Sequence, residues 1–280
     1  MQRKLLVSIL VHTRNSKRTI REHLKSIKKQ TYKNIEIIIV DNNSTDETLD
    51  IAREYSQKIY TFGPERSAQR NFAAKKAKGN YFLVPDSDMI LDKNVVEECV
   101  ALAVKDRIIK AVIIPEKSIG IGFWAKCKAL ERSFYVGVPW MEAARFFDRI
   151  AFFEIGGYDE ENTGTEDYDF PHRIEKKYGK ESIGRIDKFI LHDEGHLSLF
   201  KTLKKKFYYA QNLDIYKREN SSYFKKQASL LLRLILFFSR PKLLFSNPLL
   251  ACGMIGMKLS EFSFGGLGYI WRKKINVYGQ

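Results

Sequence analysis

The chain has 280 residues, 44% hydrophobic and 29% charged, with a formal charge of +15 at pH 7. That balance excludes a disordered chain and points to one sizeable α/β domain with appendages, or two small ones, meeting anionic partners: nucleic acid, an anionic bilayer face or phosphorylated substrates. The cysteines, Cys99, Cys127 and Cys252, are odd in number and far apart, which argues against a disulfide framework or a zinc site and for a reduced, cytoplasmic setting. At the N-terminus, MQRKLLVSILVHTRN holds a short apolar run that meets His12 and Arg14 without a cleavage site. It predicts a first buried strand from Leu5 to Val11, not a signal peptide.

Ser16 is placed to cap a helix in which Ile20, Leu24 and Ile27 recur at helical spacing. NIEIIIVD predicts a second buried strand, and NSTDETLDIAREY a second helix with Ser44 as its cap. A short strand near Lys58 to Thr61 precedes the helix SAQRNFAAKKAKG, closed by Gly79. There follow a strand in YFLVPDSD, the helix NVVEECVALAV and the strand KAVIIP. This alternation predicts right-handed βαβ units and a mostly parallel sheet, with ligands in the crevice beyond the carboxyl ends of the strands. HTRN, DNNSTD and PDSD all fall at such ends.

After Pro115 the alternation weakens. FWAKCKALERSFYVG reads as a helix, EAARFFDR as an edge strand, and IAFFEIGGYDEENTGTEDYDF as a short helix, a Gly-Gly stop and an acidic loop opening another helix. From Ser198 the composition changes: residues 201–226 carry eight Lys or Arg against two acids, and residues 230–257 are dominated by Leu, Ile, Phe and Met. Arg233, Arg240, Pro241, Lys242 and Pro248 interrupt that apolar stretch well short of the ~20 residues a span needs. Amphipathic segments lying on an anionic membrane surface fit it; a helical subdomain packed on the core or on a second subunit is the competing reading.

Asp86 and Asp88, two residues apart in VPDSDMILD, would face the same way in extended backbone and could converge on one divalent cation, Mg²⁺ or Mn²⁺. A surface turn is the plainer alternative. The series SILVHTRN, IIIVDNNSTDET, ERSAQRNFAAKKAKGNYFLVPDSD, IGGYDE and GTEDYDF, in order from about Leu5 to His192, resembles the inverting glycosyltransferases of family 2, which have the GT-A fold. Two positions depart from the family pattern: His12 replaces a common proline, and Asn42 replaces a second acid.

The resemblance implies a nucleotide-sugar donor held by Thr13, Asn15 and Asp41, with Arg70 facing phosphate. It assigns Asp88 as the main metal ligand, Asp86 to ribose or metal, and Asp167 as the base that deprotonates the acceptor, assisted by Glu166. A cation there would stabilise the departing diphosphate, and crowding by Glu166 and Asp169 should raise the pKa of Asp167. Inversion turns an α-linked donor into a β-linked product. Competing readings remain: Asp41 as a helix cap, Arg70 as a solvated helix charge, and His192 either as a metal or diphosphate contact or as a satisfied, half-buried histidine. Arg145, Lys204, Lys205, Lys206, Tyr208 and Tyr209 are candidates for an acceptor phosphate or anionic lipid, against a merely solvated basic face.

The expected organisation is a nucleotide-sugar-binding half over 1–115, an acceptor-binding half with the base over 116–197, and a basic, apolar helical tail over 198–280, peripheral on the cytoplasmic face of the membrane. Because a hydroxyl needs a base and a phosphate does not, the TED acids favour a hydroxyl of a lipid-linked glycan over a polyprenyl or dolichyl phosphate as acceptor. Outside the enzyme class stand a basic nucleic-acid-binding module, for which no signature is present, and a non-catalytic membrane scaffold.

Overall fold

A computed structural model describes residues 5–162, 164–211, 213–219 and 221–278. In chain order the elements are β1 (Val7–Thr13), α1 (Ile20–Lys28), β2 (Ile35–Asp41), α2 (Thr48–Arg53), β3 (Ile59–Thr61), α3 (Arg66–Lys76), β4 (Tyr81–Leu83), β5 (Met89–Leu91), α4 (Val95–Lys105), β6 (Ala111–Ile113) and β7 (Glu116–Ile121). They continue with α5 (Phe123–Ser133), β8 (Ala144–Asp148), α6 (Arg149–Glu154), α7 (Glu166–Tyr178), β9 (Ile183–Arg185) and β10 (Ile190–His196). The last six are α8 (Leu199–Ala210), α9 (Leu213–Glu219), α10 (Ser221–Gln227), α11 (Leu230–Phe238), α12 (Pro241–Leu244) and α13 (Pro248–Tyr278).

Two compact units result. One comprises Met1–Glu116, Ala143–Glu160 and Glu166–Asp193; the other comprises Lys117–Glu142, Glu161–Thr165 and Glu194–Gln280.

The first unit is built on a sheet of seven strands in the order β3-β2-β1-β4-β8-β6-β9. Runs rich in Val, Ile and Leu make β1 and β2 interior strands of it, since a strand covered on both faces has little solvent side to alternate toward. Val7, Ile9 and Val11 of β1 enter one apolar cluster with Leu24 and Val96, while Leu10 enters the other with Val40, Phe82 and Phe170. Burying each such side chain contributes about 1.5–3 kcal/mol. β1 runs parallel to β2 from Val7 opposite Ile35 to Thr13 opposite Asp41, and parallel to β4 on its other side. The strands therefore end side by side, and His12 makes one further parallel bridge to Asp86.

Several local expectations change. EAARFFDR is not an edge: β8 lies between β4 and β6, antiparallel to both, because Phe146 and Phe147 fill one face each of the core. Ser16 does not cap α1; its carbonyl closes the turn into it, and Thr19 stands at the cap. Ser44 donates to Asp41, leaving Glu47 at the start of α2. α3 stops at Ala77, in extended backbone, before Gly79; a side chain at Gly79 would meet Ser8 at 2.4 Å, so glycine there serves close approach to β1.

The second unit gathers helices around Cys127, Phe134, Phe237, Met254 and Met257. α13 packs along α8 and α5. Gly268 permits this closeness, since a Cβ there would lie 2.2 Å from the Phe207 carbonyl oxygen. Among the described residues no helix is long and apolar enough to cross a membrane.

Candidate active site

The site belongs to the first unit and starts where β1 and β2 end. Asn42 N–H donates to the Thr13 carbonyl at 2.9 Å, and the Gln69 amide on α3 reaches the carbonyls of Val40 at 2.7 Å and Thr13 at 3.2 Å. Buried backbone oxygens at the strand ends are thereby satisfied by a helix that brings Arg70 one residue further on. Of the expected nucleotide contacts, Asp41 accepts from the Ser44 backbone at 2.7 Å, and Asn15, at φ 49°, accepts from Thr45 N–H at 2.8 Å. Asp41 thus closes its own loop, while Asn15 ties the first strand-end loop to the second. The Thr13 hydroxyl is buried with no hydrogen-bond partner, a polar group with capacity left for a ligand.

Arg70 is fully buried, so the solvated-charge reading fails for it. One terminal nitrogen lies 2.8 Å from Asp86 and the other 2.8 Å from Asp167. Arg145, carried by β8, meets the same two carboxylates at 3.3 and 3.4 Å and Glu116 at 2.9 Å. It is buried inside this network and not on a surface that could meet lipid. Two forked cations thus bridge carboxylates from distant parts of the chain. The fork is supported from α6 onward: Gly157, at φ 75°, lets the next residue turn so that Tyr158 N–H and carbonyl pair with the Asn71 amide at 2.9 and 2.8 Å. The Tyr158 ring then lies 4.9 Å from the Arg70 guanidinium carbon.

Asp86 bridges to His12, but Ser87 and Asp88 lie in a turn and not in continuous extended backbone. Met89 N–H closes a turn onto the Asp86 carbonyl at 3.1 Å, so side-chain alternation does not aim the two acids together. Asp86 instead faces Arg70, Arg145 and His12, whose Nε2 is 3.1 Å away. Burial would raise its pKa, but Arg145, the His12 hydrogen bond and Arg70 outweigh that and hold it well below the usual carboxylate range. Burial and the adjacent Arg70 keep His12 below its ordinary value, and therefore neutral near pH 7. In this arrangement Asp86 is paired with both arginines and with His12.

Asp88 differs. Its Oδ2 lies 3.4 Å from His192 Nε2, and its Oδ1 is buried with no hydrogen-bond partner. His192 stands within β10, which pairs antiparallel with β5 through Met89, and its other nitrogen is 3.7 Å from Glu116. Among the described residues no three His, Cys, Asp or Glu side chains form a metal-binding group. A magnesium-type site needs no such group, being held by one or two protein ligands with substrate phosphates completing the shell. The unmatched Asp88 oxygen beside an imidazole backed by a carboxylate fits that pattern.

The acids at the start of α7 divide in a way the sequence does not disclose. Burial would raise Asp167, yet Arg145 and Arg70 outweigh it and lower its pKa, so the expected upward shift is not found there. Glu166 is the raised carboxyl, through burial and the neighbouring charge of Asp167, although Arg66 lies 2.8 Å from it. Asp169 is turned away onto Arg173 at 2.8 Å and does not crowd Asp167. Arg66 and Glu116 are members of the site that sequence reasoning missed. Arg66 could have been found from its position four residues before Arg70, one helical turn along the same face; nothing local marks Glu116. Lys204, Lys205 and Lys206 are exposed residues of the second unit.

Residues 8–162 match the family model for glycosyl transferase family 2. Glycosyltransferase GlyA of Streptococcus pneumoniae is 29% identical over 157 residues, covering 53% of this chain and 21% of the relative. The Escherichia coli UDP-Glc:alpha-D-GlcNAc-diphosphoundecaprenol beta-1,3-glucosyltransferase WfaP is 42% identical over 88 residues, covering 30% of this chain and 35% of the relative. The chain therefore spans only about a fifth to a third of these curated relatives. In fold it is similar to the Pyrobaculum calidifontis mannosyltransferase PcManGT, solved with GDP-Man and Mn²⁺, at a TM-score of 0.65 and 16% identity over 97% of this chain and 89% of that one. Staphylococcus aureus TarS superposes with a TM-score of 0.53 and 18% identity over 97% of this chain and 55% of that one.

Proposed function

The chain belongs to glycosyl transferase family 2, and from that premise we propose that it moves a sugar from a nucleotide-sugar donor to a hydroxyl of a glycan acceptor, with inversion and with a divalent cation. One observation carries this reading: Arg70, fully buried, joins Asp86, just after β4, to Asp167, in the first turn of α7, at 2.8 Å each. Donor-side and acceptor-side chemistry would then share one cation.

In this scheme Thr13 supplies an unspent hydroxyl to the nucleotide, and Asp41 and Asn15 hold the loops around it. Arg66, Arg70 and Arg145 present positive charge to the diphosphate, which builds negative charge as the glycosidic bond breaks. Asp88 and His192 are the residues suited to hold Mg²⁺ or Mn²⁺, which when bound would stabilise that same charge. Asp167, ionised at neutral pH because of its two arginines, accepts the acceptor's proton. A diphosphate that draws the guanidinium groups toward itself weakens their hold on Asp167 and makes it a stronger base. Attack from the face opposite the leaving group inverts the anomeric centre.

WfaP, by its name, acts on an undecaprenol-linked sugar, and TarS on poly(ribitol-phosphate). We extend to this chain only the shared idea of a large, lipid-linked or polymeric acceptor. A polyprenyl phosphate is the second reading, favoured by the cations that grip Asp167, since an ionised acceptor wants cations more than a base. The proposal is tested by titrating the protein with UDP- and GDP-sugars in the presence of Mn²⁺, then reading the product's anomeric proton by NMR. Binding and an inverted anomer are expected; a product of retained configuration contradicts the mechanism.

A further inference from the structure

The second unit wears its helices inside out. α13 buries its charges, with Lys258 and Glu261 each 4% exposed, and turns apolar side chains outward: Leu249 is 70% exposed, Leu267 56% and Ile270 54%. The exposed positions Leu249, Cys252, Gly256, Leu259, Ser263 and Leu267 follow at steps of three and four residues, one continuous helical stripe without a charge. A helix facing water shows the opposite pattern. The buried charges are fully matched within the unit: Lys258 pairs with Glu131 and Glu261, and Lys128 lies 2.8 Å from each of the same two acids.

α11 repeats the signal independently. Its sequence LLLRLILFF is apolar around the whole circumference except at Arg233, which is buried and bonded to Tyr135 at 2.7 Å. Phe237 packs into the unit's core, while Leu231, Ile235 and Phe238 form a second apolar face exposed at steps of four and three. A helix apolar all round is ordinarily enclosed by protein or lipid, and nine residues are too few to cross a bilayer.

The charge that borders these faces selects the occupant. Between Ser198 and Gln280 the chain has fifteen lysines and arginines against three acids, so +12 of its +15 resides here. Lys225, Lys226, Lys242 and Arg272, which flank the apolar faces in sequence, are all exposed.

We propose that the exposed faces of α11 and α13 form a docking surface for an anionic phospholipid bilayer, with Leu231, Ile235, Phe238, Leu267 and Ile270 entering the acyl boundary and the flanking cations meeting headgroups. The helices lie on the membrane and do not cross it. Each cation near such a surface adds about 1 kcal/mol, and the attraction weakens with salt.

The test uses the full chain and vesicles of phosphatidylcholine with and without 30% phosphatidylglycerol, read by sedimentation. A thiol-reactive, environment-sensitive dye on Cys252, which is exposed on the stripe while Cys99 and Cys127 are buried, gives a second reading. The expected results are binding to the anionic vesicles, a blue shift of the dye, and a loss of affinity of roughly tenfold or more for Phe238→Asp and for Ile270→Asp with the circular dichroism spectrum unchanged. Absence of sedimentation with anionic vesicles at low salt overturns the proposal. So does a dimer in analytical ultracentrifugation that the same substitutions dissociate without any effect on vesicle binding, because the faces then belong to a second copy of the chain.

Discussion

The guanidinium group of Arg70 lies 2.8 Å from the Asp167 carboxylate, and Asp167 is 97 residues away along the chain. The contact makes Asp167, the proposed base, depend on a cation from the helix that closes the strand ends. Arg145 adds a second cation at 3.4 Å. Replacing Arg145 with Gln leaves Asp167 with less positive charge beside it, so its pKa rises. The acid limb of the rate profile, kcat/KM against pH, should therefore move to higher pH than in the parent protein; an unmoved limb would show that Asp167 does not govern it.

Arg70→Gln removes the only fully buried guanidinium group in the set and leaves Asp86 and Asp167 less compensated. Breaking a buried ion pair in this way costs about 3–5 kcal/mol, and urea denaturation should show a loss of that order. Asp167 carries the sign of an acid with depressed folded pKa: its stabilising contribution is present above its unfolded pKa and is lost as pH falls through the lower folded value. In Arg70→Gln that contribution shrinks, so the difference between variant and parent should narrow under strongly acidic conditions.

Asp167→Asn should lower the transfer rate by about 10²–10⁴-fold with donor affinity retained, as expected for loss of a base. Glu166→Gln should cost far less, because its raised pKa reflects burial and a neighbouring charge and its contact with Arg66 is neutralised, not removed. Steady-state kinetics and donor titration on both variants check the assignment. If Asp167→Asn keeps full turnover, the acceptor is one that needs no base, and the polyprenyl-phosphate reading takes precedence.

His23 offers a prediction about stability alone. Burial in α1 lowers its pKa to about 4, its Nδ1 pairs with the Met89 carbonyl, and its Nε2 has no partner. Below an unfolded pKa of about 6.5 the unfolded chain takes up a proton that the folded chain refuses until about pH 4. Folding stability should fall across that window, by about 3 kcal/mol for this group. In His23→Met the slope of unfolding free energy against pH between those limits should flatten; an unchanged slope assigns it elsewhere.

The strands β1 and β2 could be read from the sequence because each is rich in Val, Ile and Leu, broken only by Ser8 and Glu36, and their ends near Thr13 and Asp41 follow from where those runs meet polar residues. The convergence of Thr13, Asp41, Arg70, Asp86 and Asp167 on one end of the sheet was legible from order and resemblance together. The role of Asp86 was not, because it depends on a turn at Met89 and on arginines brought in by α3 and β8, neither of which spacing reveals. EAARFFDR reads as an edge strand, but β8 is internal to the sheet and its Arg145 is buried among the site's carboxylates. In the tail, composition gave away basic and apolar character, but only tertiary packing shows that α13 buries Lys258 and Glu261.

The central claim is that this site works on an activated sugar with a cation held at Asp88. The most direct measurement is release of nucleoside diphosphate from a panel of nucleotide sugars, with Mg²⁺ or Mn²⁺ and in excess chelator, for the parent protein and for Asp88→Ala. The account predicts release from at least one donor that requires the cation and is abolished both by chelator and by Asp88→Ala. Full release in chelator, or undiminished release by Asp88→Ala, would contradict it.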